Sequence, residues 1–73
     1  MCGIIGVSNH KDAAQIAYLG LYALQHRGEE AAGITSSERG RMHIVKNKGL
    51  IAEAFDEKDF EKLKGTSAIG HCR

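Results

Sequence analysis

The stretch Met1-Cys2-Gly3-Ile4-Ile5-Gly6-Val7 opens the chain and predicts the first element of the fold. Residues 3–7 form a short apolar run with β-branched side chains, bounded by Ser8-Asn9, which is typical of a strand buried on both faces. The glycines beside Cys2 indicate close approach of the backbone to another strand or to a ligand. We therefore expect position 2 at the end of a rigid strand with little side-chain bulk around it.

A helix is predicted after this strand. Asp12 is a suitable cap for its first turn. Apolar residues then recur at three- and four-residue spacing and form one face, which Leu19 and Ala23 widen. The members of this face are Ala13, Ile16, Ala17, Gly20, Leu21 and Leu24. The pattern fails at residues 25–28, where Gly28 would end the helix or begin a turn.

The remaining residues predict a hairpin, a short helical region and a final strand. Residues 31–36 and 42–45 read as paired strands around a turn at Glu38-Arg39-Gly40, and Asn47-Lys48-Gly49 as a second turn. Residues 50–64 are helical in pattern, with Asp56 or Asp59 as a cap and Gly65 as the end, and residues 67–73 are the last strand. This order predicts an α+β fold in which helices pack on a sheet.

Composition excludes several classes of protein. The 73 residues allow one small domain, and their 42% hydrophobic content is typical of globular chains. The formal net charge is +1 and acids alternate with bases, so no basic patch predicts nucleic-acid binding. No apolar run reaches the length of a membrane span, and the N-terminus does not resemble a signal peptide. We expect a cytoplasmic protein.

Cys2 is the first candidate for chemistry. A small residue at position 2 normally permits removal of Met1, which would leave Cys2 with a free α-amino group beside its thiol. An unperturbed α-amino group titrates near about 7.7–8.0, so a good fraction is neutral and can take the thiol proton directly or through a water. The alternative is a small buried apolar residue. The rigid, glycine-flanked strand favours the nucleophile.

Two arginines are candidates for binding an acid. Arg27 would lie at the end of the helix, where a cation is also favourable for dipole reasons alone. Arg73 at a strand end could hold a carboxylate through two parallel hydrogen bonds. Alternation puts His71 and Arg73 on one face and Cys72 on the other, so we expect Cys72 in the core. No CxxC or HxxxH set accompanies them, and no metal site is predicted.

Four blocks of sequence together resemble the class II, N-terminal-nucleophile glutamine amidotransferases. The blocks are Met1-Cys2-Gly3-Ile4-Ile5-Gly6, Leu24-Gln25-His26-Arg27-Gly28 with Ala31-Ala32-Gly33-Ile34, Lys48-Gly49-Leu50, and Gly70-His71-Cys72-Arg73. Within this family, the second and third blocks look most like amidophosphoribosyltransferases, the enzymes that begin purine synthesis. Glucosamine-6-phosphate synthases tend to carry tyrosine where His26 stands.

The resemblance implies the N-terminal fragment of a four-layer αββα Ntn-hydrolase sandwich with antiparallel sheets. Residues 1–73 would be the incomplete N-terminal part of a type-2 glutamine amidotransferase domain, with the rest of the glutaminase and the transferase domain beyond Arg73. By motif, Cys2 is nucleophile and base, Arg73 binds the glutamine α-carboxylate, and Arg27 and Gly28 support the nucleophile. Position 72 is usually valine or threonine in this motif, whereas this chain has Cys72.

The resemblance also implies properties of a longer parent enzyme. Its partners would be glutamine and phosphoribosyl pyrophosphate, it would be a homo-oligomer, and its transferase domain would use Mg²⁺. This chain would hold no cofactor and bind neither nucleic acid nor membrane, and an iron–sulfur cluster in the parent stays undecided. The Asn-Gly pair that builds the oxyanion hole in the family would follow Arg73, so we expect the 73 residues alone to be inactive.

Two other interpretations remain open at this point. The chain could be the glutaminase half of another class II amidotransferase, such as glucosamine-6-phosphate synthase, asparagine synthetase or glutamate synthase, and the downstream sequence would decide. It could also be a non-catalytic module with the same fold, for which an uncleaved Met1 would be the marker. Separately from both, the chain could self-associate to cover exposed strand edges.

Overall fold

The computed structural model describes residues 3–24 and 31–73, and in these ranges the chain forms four strands and three helices. They are β1 (Gly3–Val7), α1 (Ala13–Leu24), β2 (Ala31–Glu38), β3 (Arg41–Lys48), α2 (Ile51–Ala54), α3 (Glu57–Lys62) and β4 (Ser67–Cys72). The predicted order of elements is confirmed. Among these described helices, none is long and apolar enough to cross a membrane.

The four strands form one antiparallel sheet in the order β1-β4-β2-β3. The last strand of the chain therefore lies between the first and second strands. Helices pack on one face of this sheet, so the prediction of an α+β fold with antiparallel pairing is confirmed. The central place of β4 carries its final residues into the middle of the sheet rather than to its edge.

The hairpin of β2 and β3 forms because its two turn residues adopt left-handed backbone conformations. Arg39 has φ of 48° and Gly40 has φ of 83°, the combination that a two-residue turn needs to match the twist of the strands. The predicted hairpin is confirmed, but β3 is longer than predicted. Asn47 and Lys48 belong to the strand, where Lys48 pairs with Ala31, so the turn predicted at residues 47–49 begins only at Gly49, whose φ is 109°.

Helix α1 packs against β1, β4 and β2 through small side chains. Its buried residues are Ala13, Ala14, Ala17 and Leu21. A Cβ at Gly20 would collide with the side chain of Ile5, so the glycine allows the helix to approach β1 closely. Leu19 and Ala23 are exposed, and the prediction that they widen the packed face is wrong because the sheet covers only one side of the helix. Leu24, predicted within that face, is 41% exposed, but its Cβ would lie 3.3 Å from a Cβ at Gly3 on β1.

Helices α2 and α3 extend the same layer through aromatic contacts with α1. The ring centroid of Tyr18 lies 5.3 Å from that of Phe60 and 6.0 Å from that of Phe55, both edge-to-face. Asp56 begins α3 in a capping box. Its side chain accepts the Asp59 N–H at 3.1 Å, and the Asp59 side chain accepts the Asp56 N–H at 3.0 Å. The predicted Asp56 cap is confirmed.

The opposite face of the sheet is bare, and we call it the open face. Ile4 is 76% exposed on it, and Met42, Ile44 and Ile69 are also more than half exposed. Strand β1 therefore has one covered face, and the prediction that it is buried on both faces is wrong for this chain. The described part supplies one helical layer and one sheet, which are two of the four layers of the expected sandwich.

Candidate active site at the Arg73 end of the sheet

Of the predicted site residues, Arg73 lies within the described ranges. Cys2, Arg27 and Gly28 lie outside them. The site is therefore built from Arg73 and from the described residues that adjoin the other three in sequence.

The pairing of β1 with β4 brings the chain neighbours of two predicted site residues together. Gly3, which follows Cys2, is the register partner of Cys72, which precedes Arg73. A Cβ at Gly3 would lie only 3.2 Å from the Cys72 Sγ, so the strands pack closely here with little room for a larger side chain. The described β1–β4 pairing thus ends at Gly3 and Cys72, the chain neighbours of the candidate nucleophile and of the candidate carboxylate ligand.

The backbone of Arg73 is held at the end of the central strand. Its N–H donates to the Ala31 carbonyl oxygen at 2.9 Å, and the Ala31 N–H donates to the Arg73 carbonyl oxygen at 3.5 Å. The side chain itself is exposed. A guanidinium on a fixed backbone, open to solvent, can make two parallel hydrogen bonds to an incoming carboxylate.

Residues 71 and 72 divide between the two faces as the alternation predicts. Cys72 is 2% exposed and lies in the core under α1, whereas His71 is exposed on the open face. Cys72 as a core residue is therefore confirmed. Replacement of the usual valine or threonine by a small thiol at this position fits a packed interior.

The open face carries a group of basic residues at this end, which we call the basic end. Its members are Lys46, Lys48, His71 and Arg73. Across the strands, Ile4 pairs with His71, His71 with Gly33, and Gly33 with Lys46, while Lys48 pairs with Ala31. The described residues of these rows include no acid, so the basic end favours an anionic ligand such as a carboxylate.

Gly33 has a contact that sequence reasoning missed. A Cβ at this position would lie 2.6 Å from His71 Nε2, 3.2 Å from His71 Cε1 and 3.0 Å from Lys46 Cγ. The sequence motif includes Gly33 but does not indicate its partner, because His71 lies far from Gly33 along the chain. The absent side chain leaves the space in which the imidazole lies.

The other end of the open face holds an apolar hollow of about 380 Å³. Thr35, Met42 and Ile69 contribute to its lining, which contains no titratable side chain. Candidate chemistry on this face is therefore concentrated at the basic end. Within residues 3–24 and 31–73, no group of three or more His, Cys, Asp or Glu side chains is arranged to hold a metal ion.

The relatives found by sequence comparison are amidophosphoribosyltransferases. No protein-family model matches the sequence. Amidophosphoribosyltransferase of Bacillus subtilis is 46% identical over 72 residues, and that of Mycobacterium tuberculosis is 47% identical over 73, in each case across 99% of this chain. The matched region is the N-terminal part of these relatives. The chain spans about 15% of the length of the curated relatives it matches.

Solved structures agree with the sequence comparison. A glutamine phosphoribosylpyrophosphate amidotransferase from B. subtilis, complexed with ADP and GMP, superposes with a TM-score of 0.89 at 42% identity. It covers all of this chain, which matches 16% of that protein. The allosteric regulatory enzyme of purine biosynthesis superposes with a TM-score of 0.87 at 41% identity, over 96% of this chain and 15% of that one. At 41–42% identity the likeness extends beyond the fold to the sequence.

Proposed function

We propose that this chain, which is similar to the N-terminal part of amidophosphoribosyltransferases, forms part of the glutamine-hydrolysing site of such an enzyme. After removal of Met1, the Cys2 thiolate attacks the side-chain amide carbon of glutamine. The tetrahedral adduct expels ammonia and leaves a thioester, and water then cleaves the thioester to release glutamate and regenerate the thiol. The ammonia goes to phosphoribosyl pyrophosphate in a transferase domain.

The single observation that carries this proposal is the pairing of Gly3 with Cys72 in a chain that keeps the family's motifs. That pairing places Gly3, which follows Cys2 in the chain, beside Cys72, which precedes Arg73. Glutamine offers an α-carboxylate at one end and an amide carbon at the other, so its site needs a cation and a nucleophile held at a fixed separation. Two adjacent antiparallel strands supply such a fixed frame.

Arg73 is proposed to bind the α-carboxylate. Its exposed guanidinium, the two backbone bonds to Ala31 and the absence of an acid from the described rows of the basic end all support that role. Arg27 and Gly28 are proposed to support the nucleophile, as their match to the family's turn implies.

The acceptor is proposed to be phosphoribosyl pyrophosphate rather than a sugar phosphate. The relatives at 46–47% identity are amidophosphoribosyltransferases, which favours this acceptor over that of a glucosamine-6-phosphate synthase. The Mg²⁺ of the transferase domain and homo-oligomeric assembly stay predictions about a longer protein.

The test is covalent labelling of the protein as its gene encodes it. The diazoketone analogue of glutamine should inactivate the glutaminase and leave its adduct on Cys2, as located by mass spectrometry, and Cys2→Ala should remove both adduct and activity. Labelling at another residue would contradict the nucleophile assignment.

Arg73 is tested by the Michaelis constant for glutamine. A hydrogen bond to a charged group is worth about 1.5–3 kcal/mol, so Arg73→Ala should weaken glutamine binding by roughly tenfold or more. Arg41→Ala, which removes an exposed arginine at the hairpin end of the sheet, is the matched control and should leave binding unchanged. Equal effects of the two variants would refute the role of Arg73.

A further inference from the structure

We infer that Gly33 is a positioning residue that seats the imidazole of His71 over β2 and so keeps the surface beside Arg73 open for the substrate carboxylate. This inference rests on the proposed function. It concerns a pair of residues that the motif alone does not connect, since Gly33 lies on β2 and His71 on β4.

The conformation of Gly33 does not explain why a glycine is there. The glycines with positive φ in the described ranges are Gly40, Gly49 and Gly65, so Gly33 has an ordinary strand backbone that any residue adopts. The position is buried in the middle of a central strand, where a missing side chain weakens the strand. A contact, rather than a turn, must account for it.

That contact is with the far edge of the His71 ring. The atoms nearest to a Cβ at position 33 are Nε2 at 2.6 Å and Cε1 at 3.2 Å, which are the ring atoms most distant from the His71 backbone. The side chain therefore reaches across the sheet from β4 to β2 instead of standing along β4 toward Arg73. The ring occupies volume that any larger residue at position 33 would take.

A Cβ at position 33 would displace the His71 ring. Lys46 Cγ lies 3.0 Å from the same point on the side of β3, so the ring has little room to move further toward β3. It would be displaced back over β4, into the space between Ile4 and Arg73 on the open face. Because His71 and Arg73 are two residues apart on one strand face, a displaced ring would obstruct the carboxylate subsite.

The experiment compares two reagents that attack the same thiol in the protein as encoded. The diazoketone analogue of glutamine needs the carboxylate subsite, whereas iodoacetamide needs only a reactive Cys2. The rate constant for the analogue divided by that for iodoacetamide therefore measures binding at the carboxylate subsite, independently of the reactivity of Cys2. Gly33→Ala should lower this ratio by about tenfold or more, since a misplacement of about 1 Å can cost about 10²-fold.

The double variant Gly33→Ala/His71→Ala should restore the ratio, because the obstructing ring is gone. His71→Ala alone should change it by less than about fivefold, since the tip of the ring lies against Gly33 on β2 and not beside Arg73. Gly6→Ala is the matched control: Gly6 is on the open face of β1, has no positive φ, and has no atom within 4 Å of an added Cβ. It should leave the ratio unchanged.

Two results would overturn the inference. One is a Gly33→Ala protein whose ratio equals that of the wild type. The other is a loss in His71→Ala as large as that in Arg73→Ala, which would make His71 a direct ligand; this measurement stands even where Gly33→Ala fails to fold. A wild type that is not labelled on Cys2 by the analogue would instead refute the proposed function.

Discussion

Among the glycines that the structure describes, Gly65→Ala should be the most destabilising glycine-to-alanine change outside the open face. Gly65 has φ of 131°, and a Cβ there would overlap the carbonyl group of Ser37 and lie 3.1 Å from the Glu38 nitrogen. These are backbone atoms at the end of β2, so no side chain can rotate away. The connection into β4, the strand that leads to Arg73, would have to shift.

The size of the effect follows from two separate costs. A backbone in this sparsely populated region costs about 1–3 kcal/mol for a residue with a Cβ. Forcing an added methyl into packed surroundings costs about 1–3 kcal/mol more. The sum, about 2–6 kcal/mol, compares with a total stability of roughly 4–11 kcal/mol for a domain of this length, at about 0.05–0.15 kcal/mol per residue.

Two other glycines separate these costs. Gly40 has φ of 83° but nothing within 4 Å of an added Cβ, so Gly40→Ala carries the backbone cost alone, about 1–2 kcal/mol. Gly6 has neither a positive φ nor a close neighbour, so Gly6→Ala should be neutral or stabilising by about 0.4–1 kcal/mol. Urea denaturation followed by circular dichroism gives the three free energies of unfolding. A Gly65→Ala variant no less stable than Gly40→Ala would refute the steric argument.

Two further predictions concern α3 and the isolated chain. Asp56→Ala should lower the free energy of unfolding by about 1 kcal/mol through loss of the capping box, with Glu61→Ala on the exposed side of the same helix as control; equal urea midpoints would contradict this. The 73 residues alone should release no glutamate from glutamine above the Cys2→Ala background, since loss of even one oxyanion-hole donor costs about 10²–10³ in rate. Turnover that depends on Cys2 in this chain would show that the missing donors are dispensable.

The sequence predicted well where the signal was local. The turn at Arg39 and Gly40, the Asp56 cap and the alternation of His71 with Cys72 each depend on residues within a few positions of one another, and each is confirmed. The placement of β4 in the middle of the sheet could not be predicted this way. Strand order depends on pairings between distant segments, and several orders are compatible with the same set of strands.

The candidate site likewise contains one residue that the sequence predicted and one whose role the sequence could not predict. The motifs named Arg73, and the structure places it at the end of the central strand. They gave no reason for Gly33, because its partner His71 becomes a neighbour only when β2 and β4 pair. Cys2, Arg27 and Gly28 lie outside the described residues, so their roles stay predictions from the resemblance.

The wrong prediction for β1 is informative about the open face. Its composition is that of a strand buried on both sides, yet Ile4 is largely exposed, as are Met42, Ile44 and Ile69 on the neighbouring strands. Full burial of such a side chain contributes about 1.5–3 kcal/mol, so covering the exposed part of these four would contribute roughly 4–8 kcal/mol. That is comparable to the whole stability expected of a domain of this size, roughly 4–11 kcal/mol. A layer covering this face, as the resemblance implies, would therefore add burial energy comparable to the net stability of such a domain. It would also enclose the basic end, where a carboxylate bound by Arg73 would be shielded from water.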